Sequence, residues 1–180
     1  MRCYKKIEPK YNFCYFLWER LSSRDVRGIM AGGSHRLRKG RTSIEKQPYF
    51  ITTAVHDRIP VFVNPDAANI VLGALKWLKQ TGMMVLDAAI VMPDHLHFIA
   101  TLKDGELPRL MQSLKGYTSR QINTLLNRKG VFWQDQYHEH AIRKDEVLNE
   151  VVLYMLHNPV RVGLVKDFHD YPFWYCRWAV

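Results

Sequence analysis

At 180 residues, with 26 Lys and Arg against 17 Asp and Glu and a formal net charge of +9, the chain has the length of one compact domain with a proper core. Its three cysteines, Cys3, Cys14 and Cys176, lack Cys-x-x-Cys spacing, which argues against a disulfide framework or a thiolate zinc site and fits a reducing cytoplasm. No apolar run approaches the roughly 18 residues of a membrane span, so no membrane partner is expected.

The excess charge is concentrated at the start. Residues 1–46 hold 12 Lys and Arg against 4 Asp and Glu, which leaves a balance of only +1 for residues 47–180. Residues 1–37 are read as a basic N-terminal extension and 38–180 as the folded domain. Residues 11–18 are apolar but too short to span a membrane, and no small-residue cleavage site follows them.

Residues 47–56, rich in β-branched and aromatic side chains, predict a strand. Pro65-Asp66 opens a helix that runs to about Gln80 and stops at Thr81-Gly82. Residues 83–92 and 95–102 predict a hairpin around Pro93-Asp94. A helix follows from Glu106 to about Asn127, with Leu107, Leu110, Met111, Leu114, Thr118, Ile122 and Leu125 on one stripe. A strand over 131–142 and a helix over 145–157 come next, and Tyr171, Phe173, Trp174, Tyr175 and Trp178 make an aromatic tail. The order β-α-β-β-α-β predicts an α+β fold, a ferredoxin-like antiparallel sheet with helices plus a C-terminal helix and the tail. Residues 83–92 are apolar on both faces, so both sides of the sheet need cover. The last helix and tail, or a second subunit, would supply it; monomer and homodimer both stay open.

The candidate site starts from His95-Leu96-His97. Alternation along a strand points both imidazoles to one face, a ready pair of metal ligands on a rigid element. Downstream, Gln121 falls inside the helix stripe, where an aliphatic residue is the norm, and Tyr117 lies one turn earlier at the stripe's edge.

The combination of His95-Leu96-His97 with Tyr117 and Gln121 resembles the HUH single-tyrosine transposases, which cut and rejoin single-stranded DNA. Within them the chain is most similar to the REP-associated tyrosine transposases (RAYTs). The segments that carry the likeness are 91–97, 114–120, 133–140 and 157–165, and it runs from about Arg38 to Trp178. The resemblance implies Tyr117 as nucleophile and His95, His97 and Gln121 as ligands of Mg²⁺ or Mn²⁺. It further implies a bacterial, DNA-associated enzyme whose substrate is hairpin DNA and whose intermediate is a 5′-phosphotyrosine.

The groups suit that chemistry. A phenol ionises far more readily than an aliphatic hydroxyl, and a divalent ion polarises a phosphate as a Lewis acid. Arg36, Arg38, Lys39 and Arg41 then become candidate phosphate contacts in a salt-sensitive arm, with Lys115 and Arg120 beside the tyrosine. Tyr154 is the alternative nucleophile, although its flanks Val151, Val152, Met155 and Leu156 favour packing. His138 and His140 form a second His-x-His, read as surface residues or as support for the metal site. Trp133 and Tyr137 could stack bases or pack in the core. A non-catalytic single-stranded nucleic-acid-binding or regulatory protein is the rival function; the first leaves the histidine pair without a role, and intact His95, His97, Tyr117 and Gln121 argue against the second.

Overall fold

The computed structural model describes residues 46–103, 105–143 and 147–180. The elements follow the periodicity closely. Strand β1 (Pro48–Ala54) leads through two short 3₁₀ turns to helix α1 (Pro65–Gln80). Asn64 caps α1, its side-chain oxygen accepting from the N–H groups of Asp66 and Ala67 at 2.9 and 3.1 Å. Pro65 fills the first helical position, where a missing N–H costs nothing. Strands β2 (Met84–Met92) and β3 (His95–Leu102) form the hairpin, and helix α2 (Leu107–Leu125) follows. Then come β4 (His138–Ala141), helix α3 (Leu148–Leu156), the single turn α4 (Asn158–Arg161) and β5 (Trp174–Cys176).

All pairings are antiparallel and the sheet order is β4-β1-β3-β2-β5. The first four strands have the ferredoxin-like order, and the aromatic tail adds a fifth at the β2 edge. β3 is thus the central strand.

Each face of the sheet carries its own core. Leu96, Phe98, Ala100 and Leu102 of β3 pack with Val71, Leu75 and Leu78 of α1 and with Leu110, Met111 and Leu114 of α2. Ile99 points the other way, into a second core with Val151, Val152, Met155 and Leu156 of α3 and with Phe168 and Tyr171 of the tail. Helix α3 and the tail therefore cover the second face within one chain. β2 serves both cores: Leu86, Ala89 and Val91 join the first, Ala88, Ile90 and Met92 the second. A register shift between Leu86 and Ala88 restores the alternation after Asp87. Burial raises the Asp87 carboxyl pKa, against the pull of Arg177 (2.9 Å) and Thr101 (3.3 Å). The same arginine donates its backbone N–H to the Asp87 carbonyl, tying down the end of β5.

One element is shorter than expected. Of the strand predicted over 131–142, only His138–Ala141 pairs as a ladder, apart from a lone bridge between Val55 and Trp133. The preceding residues wrap around α2 instead. Trp133 Nε1 donates to Thr118 Oγ1 at 2.9 Å. The Lys115 ammonium donates to the carbonyls of Gln134, Asp135 and Gln136 at 2.8, 3.1 and 3.2 Å. Lys115, expected at a DNA phosphate, is thereby committed to the fold.

Candidate active site

His95 and His97 share the face of β3 that holds Ile99, and they are 7% and 1% exposed. Their Nε2 atoms approach to 3.0 Å with the rings nearly perpendicular. The far side of each ring is fixed. His97 Nδ1 is 2.7 Å from Oγ1 of Thr52, its register partner on β1, and His95 Nδ1 is 2.5 Å from Asp94 Oδ1. Such outer partners set the tautomer and the aim of a ligating imidazole. Burial first, then His95, Arg161 and Arg58, pushes the His97 pKa well below its ordinary value, so the ring is neutral and keeps a lone pair. Burial alone would raise the Asp94 carboxyl pKa, but His95 and Arg58 outweigh it and hold it below the usual range.

The pair fits a small divalent ion. Two donors at adjacent corners of an octahedron with bonds of ~2.1 Å stand about 3.0 Å apart, the separation at which the two Nε2 atoms here share a hydrogen bond. Among the described residues no group of three His, Cys, Asp or Glu converges, so further donors must be of other kinds.

Beside Asp94 the backbone is strained. Asp57 and Arg58 both take left-handed conformations, at φ +56° and +54°. Each such residue costs roughly 1–3 kcal/mol, less for aspartate, which visits this region more easily. The turn is locked by Arg58 N–H to the Val55 carbonyl (3.0 Å) and Val55 N–H to the Asp94 carbonyl (2.9 Å). It presents Arg58 to Asp94 Oδ2 at 3.3 Å.

The helix over the histidines is α3, which packs on β2 and β3. It carries Tyr154, half-buried between the apolar positions that seat the helix. The Arg161 guanidinium lies 3.9 Å from the centre of the Tyr154 ring and donates to Asn158 Oδ1 at 2.5 Å. Asn158 is buried, and its amide also donates to the Met155 carbonyl at 2.8 Å. Arg161 also contributes, after burial and His95, to the lowered His97 pKa.

The expected convergence of Tyr117 and Gln121 on the histidines does not occur within the chain. Both sit on α2, whose buried stripe belongs to the first core, on the opposite side of the sheet. Tyr117 is 47% exposed and Gln121 is exposed as well, not part of the stripe. The reason lies in the spacing. The buried residues step by four from Leu114 to Thr118 to Ile122, and each step of four turns about 40° past a full revolution. The stripe drifts away from Gln121, and Leu125 is left 45% exposed.

Arg120 is exposed on the same helix. Arg36, Arg38, Lys39 and Arg41 lie outside the described residues. His138 and His140 pair with Thr52 and Phe50, so they share the histidine face one strand further out. Trp133 and Tyr137 are buried, at 4% and 7% exposure, which makes them core and not base platforms. Arg58, Thr52 and Arg161 carry no functional signal in the sequence; one needs a left-handed turn, one a sheet register, and one a helix stacking arrangement to be seen.

Known proteins resemble the chain over most of this domain. A family model described as "Transposase IS200 like" matches residues 43–157. A Haemophilus influenzae protein named for the REP-associated tyrosine transposases is 28% identical over 136 residues, covering 69% of this chain and 77% of its own length. An Escherichia coli REP-associated tyrosine transposase is 34% identical over 96 residues, covering 53% of this chain and 56% of its own. The solved structure of a REP-associated tyrosine transposase bound to a REP hairpin superposes with a TM-score of 0.61 at 26% identity, covering 74% of this chain and 79% of that one. No helix among the described residues is long and apolar enough to cross a membrane. With its ferredoxin-like sheet, its paired histidines and these matches, the chain belongs to the IS200-like transposases and, within them, to the REP-associated tyrosine transposases, which act on DNA.

Proposed function

We propose that the protein is a metal-dependent single-stranded DNA endonuclease and strand transferase, with Tyr154 as its nucleophile and hairpin DNA as its substrate. One observation carries the assignment of the nucleophile: α3, which bears Tyr154, packs on the sheet face from which both imidazoles project, whereas α2, which bears Tyr117, packs on the other. The hairpin substrate is carried over from the solved relative, which holds a REP hairpin.

His95 and His97 would hold a Mg²⁺ or Mn²⁺ ion, with phosphate oxygens and water as the further donors these ions favour. When bound, the ion supplies Lewis-acid polarisation of the scissile phosphate. Thr52 and Asp94 keep the two rings aimed, so little reorganisation accompanies binding. The Tyr154 oxygen attacks phosphorus as its proton leaves, the bond from phosphorus to the 3′-oxygen breaks, and that oxygen takes up a proton. The products are a 5′-phosphotyrosine and a free 3′-hydroxyl. Because the ester conserves the bond energy, a 3′-hydroxyl from another strand can reverse the step and join without ATP. Arg161, packed against the Tyr154 ring, supplies a fixed positive charge where the phosphate would sit. One chain contributes the histidines and the tyrosine alike, so this reading needs no second subunit.

The test is incubation of the full chain with labelled single-stranded hairpin DNA and Mn²⁺, followed by a denaturing gel and peptide mapping of any adduct. A covalent species is expected, with nucleotide on the peptide that contains Tyr154. Nucleotide on the peptide containing Tyr117, or no adduct at all, would overturn the assignment.

A further inference from the structure

We propose that Arg58 is a positioning residue of the metal centre, acting through Asp94 on the ring of His95. The inference rests on His95 and His97 holding a divalent ion and goes beyond it by naming what keeps one of them aimed. The contacts form a short relay. Arg58 Nη1 is 3.3 Å from Asp94 Oδ2, and the other carboxylate oxygen, Oδ1, is 2.5 Å from His95 Nδ1. The carboxylate is held at one end by the guanidinium, so its other end is free to fix a single ring orientation and to leave Nε2 facing His97.

The backbone points the same way. Two consecutive non-glycine residues, Asp57 and Arg58, stand in the left-handed region. An exposed ion pair returns too little to justify that strain as a stability device. Strain of this kind persists where the surrounding structure over-determines it, and here it is held by the Val55 bonds and by the bond from Phe62 N–H to the Pro93 carbonyl (2.9 Å). The first closes the turn on itself, and the other two fasten its two ends to the Pro93-Asp94 corner that opens β3. Arg58 is half-exposed and its charge also reaches His97, so it stands at the rim of the site and not in the distant solvent.

The informative variant is Arg58→Gly, because glycine accepts the native φ without strain. It removes the guanidinium and relieves the backbone at once. Manganese binding, measured on DNA-free protein by loss of the free-ion EPR signal, is expected to weaken about 10-fold or more, while the melting temperature stays level or rises. A purely structural role would lower stability and leave Mn²⁺ affinity unchanged, and that result overturns the proposal. Arg58→Lys should recover part of the affinity. In a double-mutant cycle, Arg58→Gly should add little once Asp94→Ala is present, because both cut the same relay; full additivity also overturns it. Wild-type protein that binds no Mn²⁺ would defeat the metal reading itself, which is distinguishable from a wild type that binds and an Arg58→Gly variant that binds equally well.

Discussion

Two helices of this chain carry a tyrosine followed four residues later by an amide: Tyr117 and Gln121 on α2, Tyr154 and Asn158 at α3 and the turn after it. They lie against opposite faces of one sheet. On α2 the surroundings of the tyrosine build the fold. Lys115 and Thr118 grip the 133–136 segment by hydrogen bonds, and Tyr117 itself looks outward. On α3 the tyrosine stacks on an arginine whose charge is felt by a buried imidazole. Equal spacing on two helices therefore leads to different surroundings, and the parity of the central strand sets which helix shares a face with the histidines. His95 and His97 sit with Ile99, not with Leu96 and Phe98.

The sharpest way to break this comparison is to exchange phenol for phenyl on each helix. Tyr154→Phe is expected to lower adduct formation by at least roughly 10³-fold, as loss of a nucleophile does. Tyr117→Phe should stay within about twofold of wild type, since an exposed side chain far from the reacting groups has little to lose. The measurement is the initial rate of covalent-adduct formation on hairpin DNA at saturating Mn²⁺. A reversed ranking would return the chemistry to α2.

Much of this is legible in the sequence, and Tyr117 is instructive because the signal that places it away from the histidines is present too. Helix α1 is legible to its ends because Pro65-Asp66 and Thr81-Gly82 punctuate it. The hairpin was legible from alternation around Pro93-Asp94. The split βαβ order has a further consequence: both crossovers are right-handed and put their helices on one face. The apolar alternates Leu96, Phe98, Ala100 and Leu102 mark that face, so the histidines had to look toward whatever came after the last crossover strand. Among the described residues, α3 and the tail follow that strand. By contrast, the truncation of β4 was not legible, because Val131, Phe132 and Trp133 have the composition of a strand. It takes the tertiary clamp by Lys115 and Thr118 to pull them out of the ladder. Arg58 was invisible for a similar reason: nothing in His56-Asp57-Arg58 announces two left-handed residues.

If α2 is architectural, its lysine should show in stability and not in turnover. Lys115→Ala withdraws an ammonium from three carbonyls, and hydrogen bonds from a charged donor contribute roughly 1.5–3 kcal/mol. Equilibrium unfolding in urea should register a loss of that order. Adduct formation per folded molecule, measured well below the new midpoint, should be retained. A variant with wild-type stability but lost DNA binding would instead make Lys115 the phosphate contact its sequence position implied.

The smallest expected effect lies on the other face, where the tail beside α3 is held by exposed polar contacts. His169 stacks on Phe168 at 3.9 Å, its Nε2 donates to the Val180 carbonyl at 3.1 Å, and its Nδ1 is 2.7 Å from Asp167 Oδ1. The Val180 carbonyl first, then Asp167, raises the His169 pKa above 6.5. Asp167 accepts from the His169 backbone N–H and ring, and its pKa is lowered below 3.8. The signs follow from linkage. The histidine's contribution is complete below its unfolded value and fades as pH rises through the raised folded one; the aspartate's is complete above its unfolded value and fades as pH falls through the lowered one. The pair therefore helps most in the window between about pH 4 and pH 6.5. Thermal melts of wild type and His169→Gln should differ at about pH 5 and converge at about pH 8.5, when the imidazole has lost its proton. A difference that persists undiminished at the higher pH would mean that stacking on Phe168, and not the charge, holds the tail against α3.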